Sequence, residues 1–202
     1  MQDFSKLRNA EIAVRTDEVT RKREQAEFFI AGPFIDPDTA EGVAPNSDTH
    51  GSSLRHYLNS SLSQQGILTY LGEDRILRTI GEKHYGDWNN AVVFERHYIT
   101  SHLDGVIILP SSPGSFCELG DWASDEPTSK NTLILVDEQY RNRTSYFNDG
   151  VLKSALMNGA KVEFVPYSNR QRALEVCQNF IQAILNKKRV ADLYGRHRRP
   201  SR

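Results

Sequence analysis

Residues 106–109 read VIIL, an unbroken apolar run bounded at once by Pro110. So short a stretch, β-branched and without a polar alternate, reads as a strand buried on both faces, as in a parallel sheet. Pro110 ends it, because its ring removes a ladder donor. Ser111, Ser112, Pro113, Gly114 and Ser115 then form a loop of small residues whose backbone can approach a ligand closely. A helix is predicted to resume from Phe116, which sets Glu118 in its first turn at the carboxyl edge of the strand. That edge is where open α/β sheets bind their ligands. A glutamate in a first turn also complements the helix dipole with no ligand involved. The Gly-Ser-Phe approach, the apolar strand feeding it and the slim Leu119-Gly120 turn favour a carboxylate that faces a bound sugar or phosphate.

The same alternation recurs along the chain. Strands are predicted at 28–31, 67–71, 132–136 and 162–165. Helices are predicted at 52–65 (Ser52 or Ser53 as N-cap, Gly66 as stop), 89–102 (Val92, Val93, Tyr98, Ile99 and Leu103 inward), 151–158 and 172–190. Strand and helix in turn give an α/β, doubly wound, mostly parallel sheet with helices on both faces, Rossmann-like in kind. Residues 36–51 are rich in Asp, Pro, Gly, Thr and Ser and read as a long loop of the kind that forms lids. Residues 72–74, GED, follow the second strand at the ligand side, and 75–90 show no assignable period. Arg55 and His56 are an exposed pair on a solvated turn or a pair that meets a phosphate. Residues 1–27 are a charged helix with a thin apolar stripe, either solvated or docking a partner. They precede a main domain at 28–186 and a basic tail at 187–202.

With 202 residues and a formal net charge of -1, composition gives no argument for bulk nucleic-acid or membrane affinity, although Lys187, Lys188, Arg189, Arg196, Arg198 and Arg199 gather positive charge late in the chain. Cys117 and Cys177 are too few for a disulfide framework. The histidines show no ligand spacing, so neither metal nor cofactor is expected. No apolar stretch approaches the ~20 residues needed to span a bilayer, and a cytoplasmic protein without membrane contact is expected.

Two segments carry a resemblance. GSFCELG at 114–120 resembles the G-[ST]-x-x-E-[LI]-G signature of the nucleoside 2-deoxyribosyltransferase and nucleotide N-glycosidase superfamily, and FIAGPF at 29–34 resembles its first strand and sugar loop. VIILPSSPGSFCELG followed by LILVDEQYRNRTSYFNDG is most similar to the deoxyribosyltransferase-like effectors of bacterial retron anti-phage systems. The resemblance covers roughly residues 28–166. It implies cleavage of the N-glycosidic bond of a nucleoside, nucleotide or NAD-type substrate, as a toxic effector in defence. A housekeeping deoxyribosyltransferase or salvage hydrolase is the alternative enzyme, and a non-catalytic nucleotide sensor the alternative of another class.

Breaking a C1′–N bond builds positive charge on the sugar and negative charge on the base, so a carboxylate beneath C1′ can stabilise or attack the oxocarbenium-like centre. The resemblance assigns that role to Glu118. The second acid, for the base, is Glu95 or Asp104, Asp104 having a structural reading because Asp before a strand commonly caps or turns. Substrate contacts are expected from Gly32, Pro33, Phe34, Gly114, Ser115 and Phe116. Asn148 is expected on a loop at 146–150 that reaches a neighbouring subunit's pocket. Cys117 reads as a buried packing thiol rather than a nucleophile. The resemblance further implies a homo-oligomer and, in a retron, a reverse transcriptase with its RNA or DNA as partner, touched by the N-terminal helix and the basic tail. Such effectors typically carry a further winged-helix-like region, which is not expected here.

Overall fold

The computed structural model describes residues 25–36, 38, 50–88 and 90–197. The expected N-terminal helix, most of the 36–51 loop and the last five residues lie outside them. Five strands, β1 (Glu27–Ala31), β2 (Leu68–Tyr70), β3 (Gly105–Ile108), β4 (Thr132–Asp137) and β5 (Lys161–Val165), form one sheet in the order β2-β1-β3-β4-β5. Every pairing is parallel, with Phe29 opposite Val106, Ile107 opposite Leu133 and Ile134 opposite Val162. The chain steps outward from β1 in one direction to β2 and in the other to β3, β4 and β5, so the sheet reverses between β1 and β3. The doubly wound α/β expectation is met.

Why both faces are buried is visible in the period-two pattern. Phe28, Ile30, Ile107, Leu109, Leu133 and Leu135 point to one side, where α1 (His50–Gln64) supplies Leu54, Leu58 and Leu62, and α7 (Arg170–His197) supplies Ala173, Cys177, Phe180, Ile181 and Ile184. Phe29, Ala31, Val106, Ile108, Ile134 and Val136 point to the other. There α2 (Arg75–Tyr85), α3 (Ala91–His102), α4 (Pro113–Ala123) and α6 (Lys153–Met157) contribute Leu77, Phe94, Ile99, Leu119, Trp122 and Ala155. A short helix, α5 (Glu126–Ser129), occupies the expected break before β4. No described helix is long and apolar enough to cross a membrane.

Several local expectations are corrected. Residues 75–90, without a legible period, form α2 and a 3₁₀ turn, Gly86–Trp88. α1 starts at His50, so Ser52 and Ser53 lie inside the helix rather than capping it, while Gly66 does close it, with φ of +83°. α3 begins at Ala91 on an Asn90 cap whose side chain accepts from Val93 N at 3.1 Å. Its buried residues are Phe94, Glu95 and Ile99, and Val92 and Val93 face outward. The 146–150 segment is a π-helical turn, Phe147–Leu152, not a loop. Cys117 is exposed and Cys177 is the buried thiol, its pKa pushed up to about 12 by burial. α7 continues through the basic residues at 187–189 as far as His197, so no break in the chain separates them from the core.

Truncating a side chain between α1 and the sheet removes both transfer energy and packing. Leu58→Ala is expected to lower the unfolding free energy by about 2–5 kcal/mol, read as a shift in denaturant midpoint.

Candidate functional site

At the carboxyl edge of the sheet, above the reversal between β1 and β3, lies a cavity of about 420 Å³. Phe34 lines it from the turn after β1, Gly72 and Glu73 from the turn after β2, and Glu82 from α2. Asn90, Ala91, Phe94 and Glu95 line it from the start of α3, and Glu118 from α4. Among the described residues, no lysine, arginine or histidine lines it. Strand β3 delivers Glu118 there, though not from a first turn. α4 begins three residues earlier than expected, at Pro113, because Ser112 and Ser115 form a capping box and Pro113 preorganises the first helical residue. Glu118 is therefore one turn further in, removed from the strongest field of the helix end.

This geometry gives Glu118 an unusual environment. It is largely buried, and its Oε2 has no hydrogen-bond partner. Burial pushes its carboxyl above the ordinary carboxylate range, the Arg55 cation pulls it back down, and the neighbouring Glu73 raises it again. A buried carboxylate oxygen without a partner is costly to keep, and such a group at the wall of a cavity is poised for a ligand.

Glu95 is 7% exposed and lies on the turn of α3 that faces the same cavity. The neighbouring Arg96 pairs with Asp121 of α4 at 2.9 Å and also donates to the Asp121 carbonyl at 3.2 Å. That clip ties together the two helices that carry Glu95 and Glu118. Gly72 leaves room for Glu95: a Cβ there would stand 2.6 Å from Glu95 Oε1.

Arg55, from the buried face of α1, is neither solvated nor available to a phosphate. It is 2% exposed. Its Nε and Nη2 donate to the Ile30 carbonyl at 3.0 and 2.6 Å, and its Nη1 to the Pro33 carbonyl at 2.9 Å. Both terminal nitrogens also bind Glu73, Nη1 to Oε1 at 2.6 Å and Nη2 to Oε2 at 2.9 Å. The turn after β1 is thus held by its carbonyls. Gly32, with φ of +153°, lets the turn fold against Arg55 and Leu109, where a Cβ would meet Arg55 Cδ at 3.0 Å.

Of the residues singled out in the sequence, Glu118, Glu95 and Phe34 come together at the cavity. Gly32 and Pro33, expected at the sugar, are not among its lining residues; their carbonyls accept from Arg55 instead. Ser115 is corrected: its buried Oγ accepts from Ser111 N at 3.0 Å and Ser112 N at 2.9 Å and donates to the Ser112 carbonyl at 3.0 Å, so capping uses it fully. Gly114 is the second residue of α4 and exposed. Phe116 points away into an aromatic cluster, edge-on to Phe147 at 5.1 Å and to Tyr140 at 6.1 Å.

Asp104 lies at the opposite, amino edge of the sheet. Its Oδ2 accepts from Glu27 N at 3.0 Å and its Oδ1 from Lys188 Nζ at 2.7 Å, which is the structural role weighed above. Asn148 donates to the Tyr140 and Arg143 carbonyls at 2.8 and 2.5 Å and lines a separate depression of about 500 Å³ beside β5. Glu73 was legible from its position just past a strand; Glu82, Asn90 and Phe94 were not, since the segment bearing the first shows no period. Among the described residues, no cluster of His, Cys, Asp or Glu is placed to hold a metal ion.

The raised Glu118 carboxyl has a consequence for stability. In the unfolded chain its pKa is near 4.5; folded, it holds its proton to higher pH. Between those values the native state binds more protons, so stability falls as pH rises through the window, and the whole cost is present above it. Glu118→Gln removes the cost. The variant is expected to have the higher denaturant midpoint at about pH 7.5 and to lose that advantage at about pH 4, below the unfolded value.

A 68-residue stretch, 34% of this chain, is 25% identical to an Escherichia coli protein named "Retron Ec86 putative ribosyltransferase/DNA-binding protein". The match spans 22% of that protein's length, about a fifth. A family model described as STM3845 retron effector protein matches residues 51–200, which takes in α1 through α7 and both helices bearing the buried glutamates. The chain belongs to the STM3845 retron effector family.

Proposed function

We propose that this chain is an N-glycosidase-like enzyme of the deoxyribosyltransferase type, acting as a toxic effector in retron anti-phage defence. The observation that carries the reading is the buried, unpartnered Oε2 of Glu118 at the wall of a carboxylate-lined cavity on the ligand edge of the sheet. Membership of a retron effector family supports the defence role, and the relative named a putative ribosyltransferase supports glycosyl transfer.

In this mechanism Glu118 faces C1′ of the sugar. The C1′–N bond breaks, its electron pair leaves with the base, and the carboxylate stabilises the oxocarbenium-like centre or bonds to it as a glycosyl ester. Water then attacks C1′, releases the carboxylate and gives up a proton, leaving a free sugar hydroxyl. Glu95 is the second acid, placed to hold or protonate the departing base. The carboxylates that line the cavity bear on the substrate. Four glutamates disfavour a phosphate inside the cavity, so a nucleotide's phosphates lie outside it, and a base that carries positive charge, as in NAD-type substrates, fits its field best.

The test is base release, followed by chromatography, from nucleosides, nucleotides and NAD, with the retron partners present. Release by the parent and its reduction by at least about a thousandfold in Glu118→Gln are expected. Tight nucleotide binding with no release by the parent would instead establish a sensor. Because Glu118 must be ionised to act, the rate is expected to fall as pH drops through its elevated pKa, above the usual carboxylate range. Gly72→Ala turns the Glu95 carboxylate aside and is expected to lower kcat/KM by up to about a hundredfold with little change in denaturant midpoint.

A further inference from the structure

A carboxylate-lined cavity needs a countercharge, and among the described residues its lining supplies none. Glu118 on α4 is faced by Glu73 from the turn after β2, by Glu82 from α2 and by Glu95 from α3. Behind Glu73, on the buried side of α1, sits the Arg55 guanidinium, which binds both Glu73 oxygens and the carbonyls of Ile30 and Pro33. A guanidinium so placed does two things at once. It fixes Glu73 in one orientation through a bidentate pair, and it fixes the turn that carries Phe34 to the cavity.

We propose that Arg55 is a positioning residue of this site: through Glu73 and the 30–33 turn it sets the geometry of one cavity wall and provides the buried countercharge that lets Glu73 and Glu118 share that wall. Arg55 touches no substrate. Its effect on Glu118 passes through space and through Glu73, and the two partners act on Glu118 with opposite sign. The role rests on the reading of Glu118 as the reacting carboxylate, but the coupling can be measured without turnover.

The experiment is carboxyl carbon NMR of the full chain labelled at glutamate, with the Glu118 resonance assigned by its loss in Glu118→Gln. Arg55→Met is expected to move the Glu118 titration midpoint upward by ~1 pH unit or more, and Glu73→Gln to move it downward, since the cation then stands without its anionic partner. Arg55→Lys, which keeps the charge, is expected to restore most of the shift seen in Arg55→Met. If Arg55→Met does not fold, Glu73→Gln decides alone, because Gln still accepts from Arg55. A midpoint unmoved in Glu73→Gln overturns the proposal whatever the activity. The acid limb of kcat/KM is expected to follow the same directions. A midpoint that moves while the limb stays fixed would leave the coupling intact and remove Glu118 from the reaction.

Discussion

A parallel sheet is stable only when both its faces are buried, and everything else in this molecule follows from that requirement. Strands β1, β3 and β4 carry an apolar residue at nearly every position, so helices must lie above and below. The crossovers that place them return every strand in the same direction. All strands therefore end at one edge, and the turns after β1, β2 and β3 meet where the sheet reverses. The cavity is the space those turns cannot fill. Its acids come from elements that are distant in sequence and adjacent only because the winding makes them so.

The second constraint is electrostatic. Burying a guanidinium is tolerable only with its donors satisfied, and Arg55 finds its acceptors in the main chain after β1 and in Glu73. Removing one partner of such a pair without leaving a hydrogen-bonding group in its place exposes an uncompensated charge inside the protein. Glu118 has no comparable arrangement. It keeps one oxygen idle in a protein whose other buried polar side chains are mostly engaged, and stability is lower for it.

Sequence reading reached the sheet because buried parallel strands announce themselves: VIIL at 106–109 and LILV at 133–136 fit little else. It reached Glu118 and Glu95 through a motif and a neighbouring helix. It missed where α4 starts, since Ser112 and Ser115 satisfy each other in a way that letter spacing alone leaves ambiguous, and this is why Ser115 looked like a ligand contact. Arg55 looked exposed because charged residues usually are; only the tertiary fold shows the carbonyls waiting for it. The helix carrying Glu82 was illegible for a related reason. α2 carries Leu77 and Ile80 at helical spacing, but Gly81, Gly86 and the charged residues between them read as breaks and hid the stripe.

The final helix outruns the body it covers. At 1.5 Å per residue, Arg170–His197 is roughly 42 Å long, whereas the strand that precedes it spans roughly 17 Å. Its last fully buried residue is Ile184, with Leu185 packed partly beside it, and Lys188 is moored to Asp104 at the amino edge of the sheet. The remainder, 189–197, continues past that edge for roughly 14 Å, on the far side of the molecule from the carboxylates. A contact made by this end of the helix is therefore remote from the carboxylates of the cavity.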